Sequence, residues 1–347
     1  MQREQQLRFA IVGPGRVGRA LGLALMVRGM VPVGVWGRAT PAASTGAIAP
    51  GTEPISPRLA ALAAELQAPA RTSPSLELGD TDWLFLTVPD RELATVAAAF
   101  DQSGLVREDT VWIHTAGAYG VEVLPAGRPR LALHPAASIT GDPAELTGLT
   151  WAVETAEAAE PAEATKPAEA TGPVEAAQIR TPEETGRAGA AAARIVGLLN
   201  GKMVSVPGKH RAFYHAATAV AANLSAAVWL MAEDMLETIG FDPGAAHQTV
   251  MRLAQSSLAN VERAGAAGVT GPVRRGDAET VQRHLQALAA FGESASDRAM
   301  HADDEPSHLE IYRQLSLLLA GGLAKQQILT PESMLKWKRL LLTEGPD

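Results

Sequence analysis

The sequence predicts an α/β half with a mainly parallel sheet, followed by an all-α half. Three observations predict it. Over residues 7–154, short apolar runs alternate with helical stretches, as in βαβ units. From residue 209 onward the pattern is helical, apart from one Gly/Pro-rich break at 269–277. Between the two halves, residues 155–186 differ sharply in composition. A length of 347 residues accommodates two domains of roughly 100–200 residues each.

The elements follow in order. LRFAIVG (7–13) is a short apolar run ending in glycine, a buried strand. Residues 16–29 read as a helix, with Val17, Leu21, Leu25 and Val27 as apolar positions and Gly29 at the end. Residues 30–36 form a second strand and 59–66 a helix. DWLFLTVPD (82–90) is a strong buried strand closed by Pro89, and 91–100 is a helix. Residues 110–118, 130–136 and 149–154 read as further strands. After the compositional break come a helix at 187–200 and a last strand at 202–207. Helices are expected at 209–239, 243–264, 277–290 and 305–324.

Residues 155–186 hold seven Glu, four Pro, five Thr, nine Ala and no aromatic residue, with an imperfect repeat PAEATK, PAEATG, PVEAAQ. So little apolar surface does not offset the entropy of ordering, so this stretch reads as a disordered insertion. The expected organisation is therefore a first domain at 1–154, the insertion at 155–186, the last helix and strand of the first domain at 187–207, and a helical domain at 208–340.

The net charge of −8 argues against nucleic-acid binding, which rests on a basic surface. Seven acids against Lys166 and Arg180 put most of that charge in the insertion, so it says little about a site. The absence of cysteine excludes disulfides, thiolate metal sites and Cys nucleophiles. No uninterrupted apolar run of about 18–20 residues appears, and the N-terminus has no signal-peptide pattern. The reading is of a cytoplasmic protein with no membrane and no nucleic-acid partner.

IVGPGRVG (11–18) places Gly13, Gly15 and Gly18 in G-x-G-x-x-G spacing, between a predicted strand and a predicted helix. In that context the first glycine allows a tight turn and the second lets the backbone approach a pyrophosphate. The third lets helix and strand pack. The first domain therefore reads as a Rossmann dinucleotide-binding domain. Pro14, Arg16 and Val17 belong to the same turn, whose helix N-terminus offers free N–H groups. The second strand ends Trp36-Gly37-Arg38, with no acid for a ribose hydroxyl. Arg38 suits a 2′-phosphate, so the expected cofactor is NADP (NADPH).

Ligands of open α/β sheets bind outside the carboxyl ends of the strands. There the chain has Thr87-Val88-Pro89-Asp90, His114-Thr115-Ala116-Gly117 and His134-Pro135. Val88, Pro89 and Thr115 are expected against the cofactor. His114 and His134 are expected beside the nicotinamide or the substrate, where imidazole can donate or relay a proton. On the long helix, His215 lies about 80° and about 12 Å from Asn223, so the two can face one cleft. Lys209 is near the start of that helix, about 21 Å from Asn223 along the axis.

These pieces resemble a known group. GPGRVG (13–18), LTVPD (86–90), HTAGA (114–118), LHP (133–135), the stretch from Lys209 through YHAA to Asn223, and TGPVRRGD (270–277) are similar to bacterial Rossmann-like proteins with a C-terminal helical domain of unknown function. That group belongs with the 6-phosphogluconate dehydrogenase, ketopantoate reductase and pyrroline-carboxylate reductase superfamily. The resemblance implies the fold, a nicotinamide cofactor and a homodimer built on the helical domain. It does not supply a substrate. The better-known relatives place a catalytic Lys four residues before the helix Asn, and here that position is Ala219. The proton donor must then be another group: His215 first, with Lys209 and His114 as alternatives.

In TGPVRRGD, Arg274 or Arg275 is expected to bind a substrate carboxylate or phosphate, and Asp277 to cap the next helix. The functional reading is an NADP(H)-dependent oxidoreductase acting on a ketone or imine of a small anionic metabolite. The alternative is a non-catalytic NADP-binding sensor or assembly protein. No metal site is expected: Asp303, Asp304 and Glu305 near His301 and His308 read as a helix start.

Overall fold

Alternate residues of the first strand bury opposite faces. Phe9 and Ile11 pack in one apolar cluster, Ala10 and Val12 in another. A strand buried on both faces needs helices on both faces, and the computed structural model supplies them. It describes residues 6–40, 55–157, 186–292 and 306–342. The chain divides into two units, Met1–Ala222 and Asn223–Asp347.

The first unit is built on an eight-stranded sheet of order β3-β2-β1-β4-β5-β6-β7-β8. The strands are β1 (Arg8–Val12), β2 (Val31–Trp36), β3 (Ala70–Arg71), β4 (Trp83–Leu86), β5 (Val111–His114), β6 (Arg130–Pro135), β7 (Thr150–Ala156) and β8 (Lys202–Ser205). Strands β1 to β6 pair in parallel; β7 runs antiparallel to β6, and β8 parallel to β7. The order reverses between β1 and β4, the switch point at which such sheets open a ligand crevice.

One face carries α1 (Arg16–Val27), α2 (Pro57–Glu65) and α4 (Gly186–Leu198); the other carries α3 (Asp90–Gln102). Helix α1 buries Ala20, Leu21, Ala24 and Leu25 at helical spacing against Ile11 and Phe85. Full burial of each Leu stabilises by ~2 kcal/mol, so Leu25→Ala would loosen the helix that carries the glycine turn. After Arg28, Gly29 takes φ 84° and ends the helix.

The expected strands and helices of this half are present. The two-residue β3 was not anticipated, being too short for a periodic signal. Only Thr155, Ala156, Glu157 and Gly186 of the expected insertion are described; the rest lies outside the described residues.

Helix α5 (Gly208–Ala219) belongs to the first unit, so the helical unit begins at Asn223 rather than at residue 208. A π-turn, Val220–Leu224, joins α5 to α6 (Ser225–Thr238). A π-turn takes an extra residue, so the 80° phase expected between His215 and Asn223 does not hold.

The second unit contains α6 paired with α7 (Pro243–Ala264), then α8 (Pro272–Arg275), α9 (Ala278–Gly292), α10 (His308–Lys325) and α11 (Pro331–Leu342). Val273, Val281, Leu323, Trp337 and Leu341 form its core. The doubly basic stretch is one helical turn rather than a loop. Pro272 starts it, and Gly271 (φ 96°) and Gly276 (φ 73°) bound it with conformations that other residues rarely adopt. Asp277 caps α9 by accepting from Thr280 N (3.0 Å) and Thr280 Oγ1 (2.7 Å).

Among the described residues one helical stretch, Gly208–Thr238, is long and apolar enough to cross a membrane by length and composition. Asn223 and Ser225 interrupt its Ala-rich sequence, so it does not read as an uninterrupted apolar run.

Candidate functional site

The glycine turn begins where β1 ends. Gly13 takes φ 107°, and its N–H donates to Trp36 O at 2.8 Å. Thr87, just past β4, donates its hydroxyl to Gly13 O (2.7 Å) and Val12 O (3.2 Å). This grip leaves no room for side chains. A Cβ on Gly13 would lie 2.6 Å from Thr87 O, and one on Gly18 2.5 Å from Thr87 Oγ1. Gly15 differs: a Cβ there would meet only Thr87 O, at 3.8 Å. Gly15 is also the N-cap of α1, and no side chain caps that helix. The first-turn N–H groups of Arg16, Val17 and Gly18 are therefore left for another acceptor, and a helix N-terminus of this kind favours an anion.

Gly13, Pro14, Gly15, Arg16, Val17, Arg38, Val88, Pro89 and Thr115 line one cavity of about 880 Å³. These are the residues expected against a cofactor, except Gly18, which is buried behind the turn. Ser56 and Arg58 line the same cavity and were not anticipated; the segment that leads to them carries no motif. Arg38 is exposed and pairs with Glu92 Oε1 at 3.3 Å. A second cavity, of about 600 Å³ by Ala324, Leu329, Met334 and Lys338 in the helical unit, has no converging titratable groups.

The two strand-end histidines differ. His114 is fully buried, with both ring nitrogens engaged. Its Nε2 donates to Gly120 O at 3.0 Å, and its Nδ1 accepts from Ala116 N at 3.2 Å. Burial pushes its pKa down to about 3, so it is neutral. The expectation that His114 donates a proton is corrected: it has no free nitrogen and orders the 114–120 turn instead. His134 bonds Tyr214 Oη through Nδ1 at 2.8 Å. Burial, His215 and Arg211 together push its pKa down to about 4.

Helix α5 brings Arg211, Tyr214 and His215 together, because positions i, i+3 and i+4 share a face. Arg211 is fully buried. It donates through Nη2 to Ala132 O (3.0 Å) and Ala152 O (3.2 Å), and through Nε to Val206 O (3.1 Å). The guanidinium thus ties the helix to β6, β7 and the end of β8. Glu154 anchors the same helix, accepting from Gly208 N at 2.5 Å and Val121 N at 2.9 Å; burial raises its pKa. The His215 ring stands 5.7 Å from that of His134 at 90°, and its Nδ1 is buried without a partner.

Gly117 completes the cluster. A Cβ there would lie 2.9 Å from His134 Nε2 and clash with His215 Nδ1. The two nitrogens therefore converge beside the backbone of 117, next to Thr115 and Ala116 of the cavity wall.

Lys209, the remaining expected residue of this unit's helix, does not join this cluster. Lys209 is exposed, about 120° from His215 at 100° per residue. Asn223 is an exposed residue of the π-turn and begins the second unit. Arg274 and Arg275 belong to that unit: Arg275 is exposed, while Arg274 is half-buried with Nε lacking a partner. Arg211 and Tyr214 were missed, although their spacing to His215 carried the signal. Among the described residues no group of three metal-ligating side chains occurs. Of His301, Asp303, Asp304, Glu305 and His308, only His308 is described, and it faces Asp234 at 3.6 Å.

Residues 1–135 match the family model of a Rossmann-like domain, and residues 179–318 that of a domain of unknown function, DUF2520. No curated protein matches the sequence. Several solved structures share the fold. Protein TM1727 from Thermotoga maritima superposes with a TM-score of 0.59 at 17% identity, covering 92% of this chain and 99% of its own. Protein BF3122 from Bacteroides fragilis, whose assignment as an NADP oxidoreductase is provisional, gives 0.58 at 16%, covering 91% and 98%. An imine reductase from Pseudomonas sp. gives 0.52 at 15%, covering 96% and 99%.

Proposed function

We propose that this chain, which joins a Rossmann-like domain to a DUF2520 domain, is an NADP(H)-dependent oxidoreductase. It reduces the ketone or imine of a small carboxylated metabolite. One observation carries the reading: the glycine-turn cavity and the His134–Tyr214–His215 cluster meet at residues 115–117 of one unit. A nucleotide-binding scaffold alone needs no imidazole nitrogen left without a partner at that point.

The uncapped helix N-terminus and the open space over Gly15 fit a pyrophosphate. Arg38 would exchange Glu92 for the 2′-phosphate. The bound nicotinamide supplies the hydride. The chain supplies the proton, and His215 is its source, being half-buried with Nδ1 unengaged. His134, neutral at pH 7, binds the substrate oxygen rather than protonating it. The carboxylate preference rests on Arg274 and Arg275, of which Arg274 is the stronger candidate because its Nε lacks a partner.

The same reading makes the protein a cytoplasmic homodimer. Phe213, Val220, Leu224, Leu230, Leu253 and Leu258 are exposed on α5, the π-turn, α6 and α7. A second copy would cover them. A lipid span is disfavoured because the stretch begins with α5, which Arg211 ties to three strand-segment carbonyls of the sheet. Light scattering should give twice the chain mass, and Leu230→Asp should reduce it.

Fluorescence titration with NADPH and NADH tests the cofactor. Charge-assisted bonds to phosphate contribute about 1.5–3 kcal/mol. Arg38→Ala should therefore weaken NADPH binding by roughly 10–100-fold and leave NADH binding unchanged. Failure to bind either nucleotide would overturn the reading.

A further inference from the structure

Tyr214 has no part in the reaction proposed above, yet it makes the closest side-chain contact in the cluster. Its Oη lies 2.8 Å from His134 Nδ1, with the rings edge to face at 84°. We infer that Tyr214 fixes His134 as the Nε2–H tautomer, so that His134 presents a neutral hydrogen-bond donor to the substrate oxygen. The tautomer rests on the Tyr214 contact and the chemistry of its two partners; the substrate contact rests on the oxidoreductase reading.

A neutral imidazole carries one N–H, and the other nitrogen is an acceptor. Two arrangements satisfy the contact with Tyr214. Either the phenol donates to Nδ1, or Nδ1–H donates to the phenol oxygen. The phenol oxygen is the poorer acceptor, because its lone pair conjugates into the ring, while the imidazole nitrogen keeps an in-plane lone pair. Burial raises the Tyr214 pKa, so the hydroxyl proton is retained. The phenol therefore donates, and the His134 proton resides on Nε2.

The position of Nε2 gives that proton a use. It lies beside Gly117, where it converges with His215 Nδ1 next to Thr115 and Ala116 of the cavity wall. With the opposite tautomer, a bare lone pair would face the substrate oxygen and repel it. The groups around His134 agree with a neutral ring: Arg211 and His215 both oppose its protonation. Arg211 also holds the α5 face in place through three carbonyl bonds, so Tyr214 is a fixed partner. A neutral donor of this kind steadies negative charge as it develops on oxygen, without competing with His215 as proton source. Tyr214 is thus a positioning residue that acts through His134.

The test uses the full-length protein labelled with ¹⁵N-histidine and needs neither cofactor nor substrate. Long-range ¹H–¹⁵N correlation at pH 7 reports which ring nitrogen is protonated, and His134→Gln assigns the signal. The expected result is a protonated Nε2 and an unprotonated, hydrogen-bonded Nδ1. In Tyr214→Phe the Nδ1 resonance should move toward that of a nitrogen without a donor, and His134 should titrate at higher pH. A proton on wild-type Nδ1 overturns the inference, even if the variant does not fold. So does an unchanged Nδ1 resonance in a folded Tyr214→Phe. Where turnover is measurable, Tyr214→Phe should lower kcat by ~10-fold with KM nearly unchanged, since the lost interaction grows in the transition state. A protein that binds no nucleotide but shows the Nε2–H tautomer would sink the oxidoreductase reading and leave this inference standing.

Discussion

Alanine at Gly13 and at Gly15 should separate two functions of one turn. Gly13 takes φ 107°, and an added Cβ would lie 2.6 Å from Thr87 O, 2.7 Å from Thr87 C and 2.8 Å from Val88 N. The backbone conformation costs about 1–2 kcal/mol for a residue with a Cβ. The clash is with backbone at the end of β4, which yields little, and overpacking of that kind costs about 1–3 kcal/mol. Gly13→Ala should thus lose about 2–5 kcal/mol. At about 2–4 °C per kcal/mol for a domain of this size, Tm should fall by roughly 4–20 °C. Gly15 has φ −82° and only an ordinary 3.8 Å contact awaiting a Cβ. Gly15→Ala should therefore keep Tm within about 2 °C, because it strains nothing. Its methyl would instead occupy the approach to the uncapped helix, and NADPH affinity should fall by ~10-fold or more. Thermal unfolding and NADPH titration on both variants give four numbers. Wild-type NADPH binding by Gly15→Ala would refute the phosphate site, and wild-type melting by Gly13→Ala would refute the steric argument.

Three further outcomes follow from the same geometry. The folded-state pKa of His114, about 3, lies below its unfolded value of about 6.5. Its contribution to stability is therefore fully present above pH 6.5 and is lost as pH falls toward 3. Denaturant titrations between pH 6 and 4 should show a slope of up to ~1.4 kcal/mol per pH unit from this group, absent in His114→Asn. Arg211→Met removes three bonds to the carbonyls of Ala132, Ala152 and Val206, but also the desolvation cost of a buried guanidinium. Urea unfolding should therefore change by less than ~2 kcal/mol while the His134–Tyr214 contact is lost, and a loss above ~3 kcal/mol would mean that Arg211 is there for stability. Asp277→Ala removes both bonds to Thr280. It should lower stability by ~1 kcal/mol without changing nucleotide affinity.

The sheet was legible because its strands are buried on both faces and read as near-continuous apolar runs, as WLFL at β4 does. The glycine turn was legible because a tight turn and a close approach can be met only by residues without a Cβ. The division of labour among the histidines was not. His114 and His134 both end a strand and have the same composition-level signal. What separates them is the carbonyl of Gly120 on one ring and the hydroxyl of Tyr214 on the other, and both partners depend on how loops and α5 return to the sheet. The π-turn was equally hidden, since periodicity arguments assume a straight helix and VAANL has no breaker residue.

Arg211 is the one buried residue of α5, and it is charged. A buried guanidinium is expensive unless all its donors are used, and this one leaves Nη1 unpaired. Its compensation is directional. Three carbonyl bonds to separate strand segments fix both the rotation and the height of α5. Tyr214 and His215 follow at i+3 and i+4, so their positions inherit that rotation. An apolar residue would hold the helix against the sheet but allow it to roll, and a roll of 20–30° at a side-chain radius of about 6 Å moves Tyr214 Oη by roughly 2–3 Å, beyond the reach of a hydrogen bond to Nδ1. Arg211 therefore exchanges some stability for the angular precision that the His134–Tyr214 contact needs. Compensation of that kind belongs to a site whose imidazoles must point in one direction, which favours chemistry over a scaffold that only holds a nucleotide.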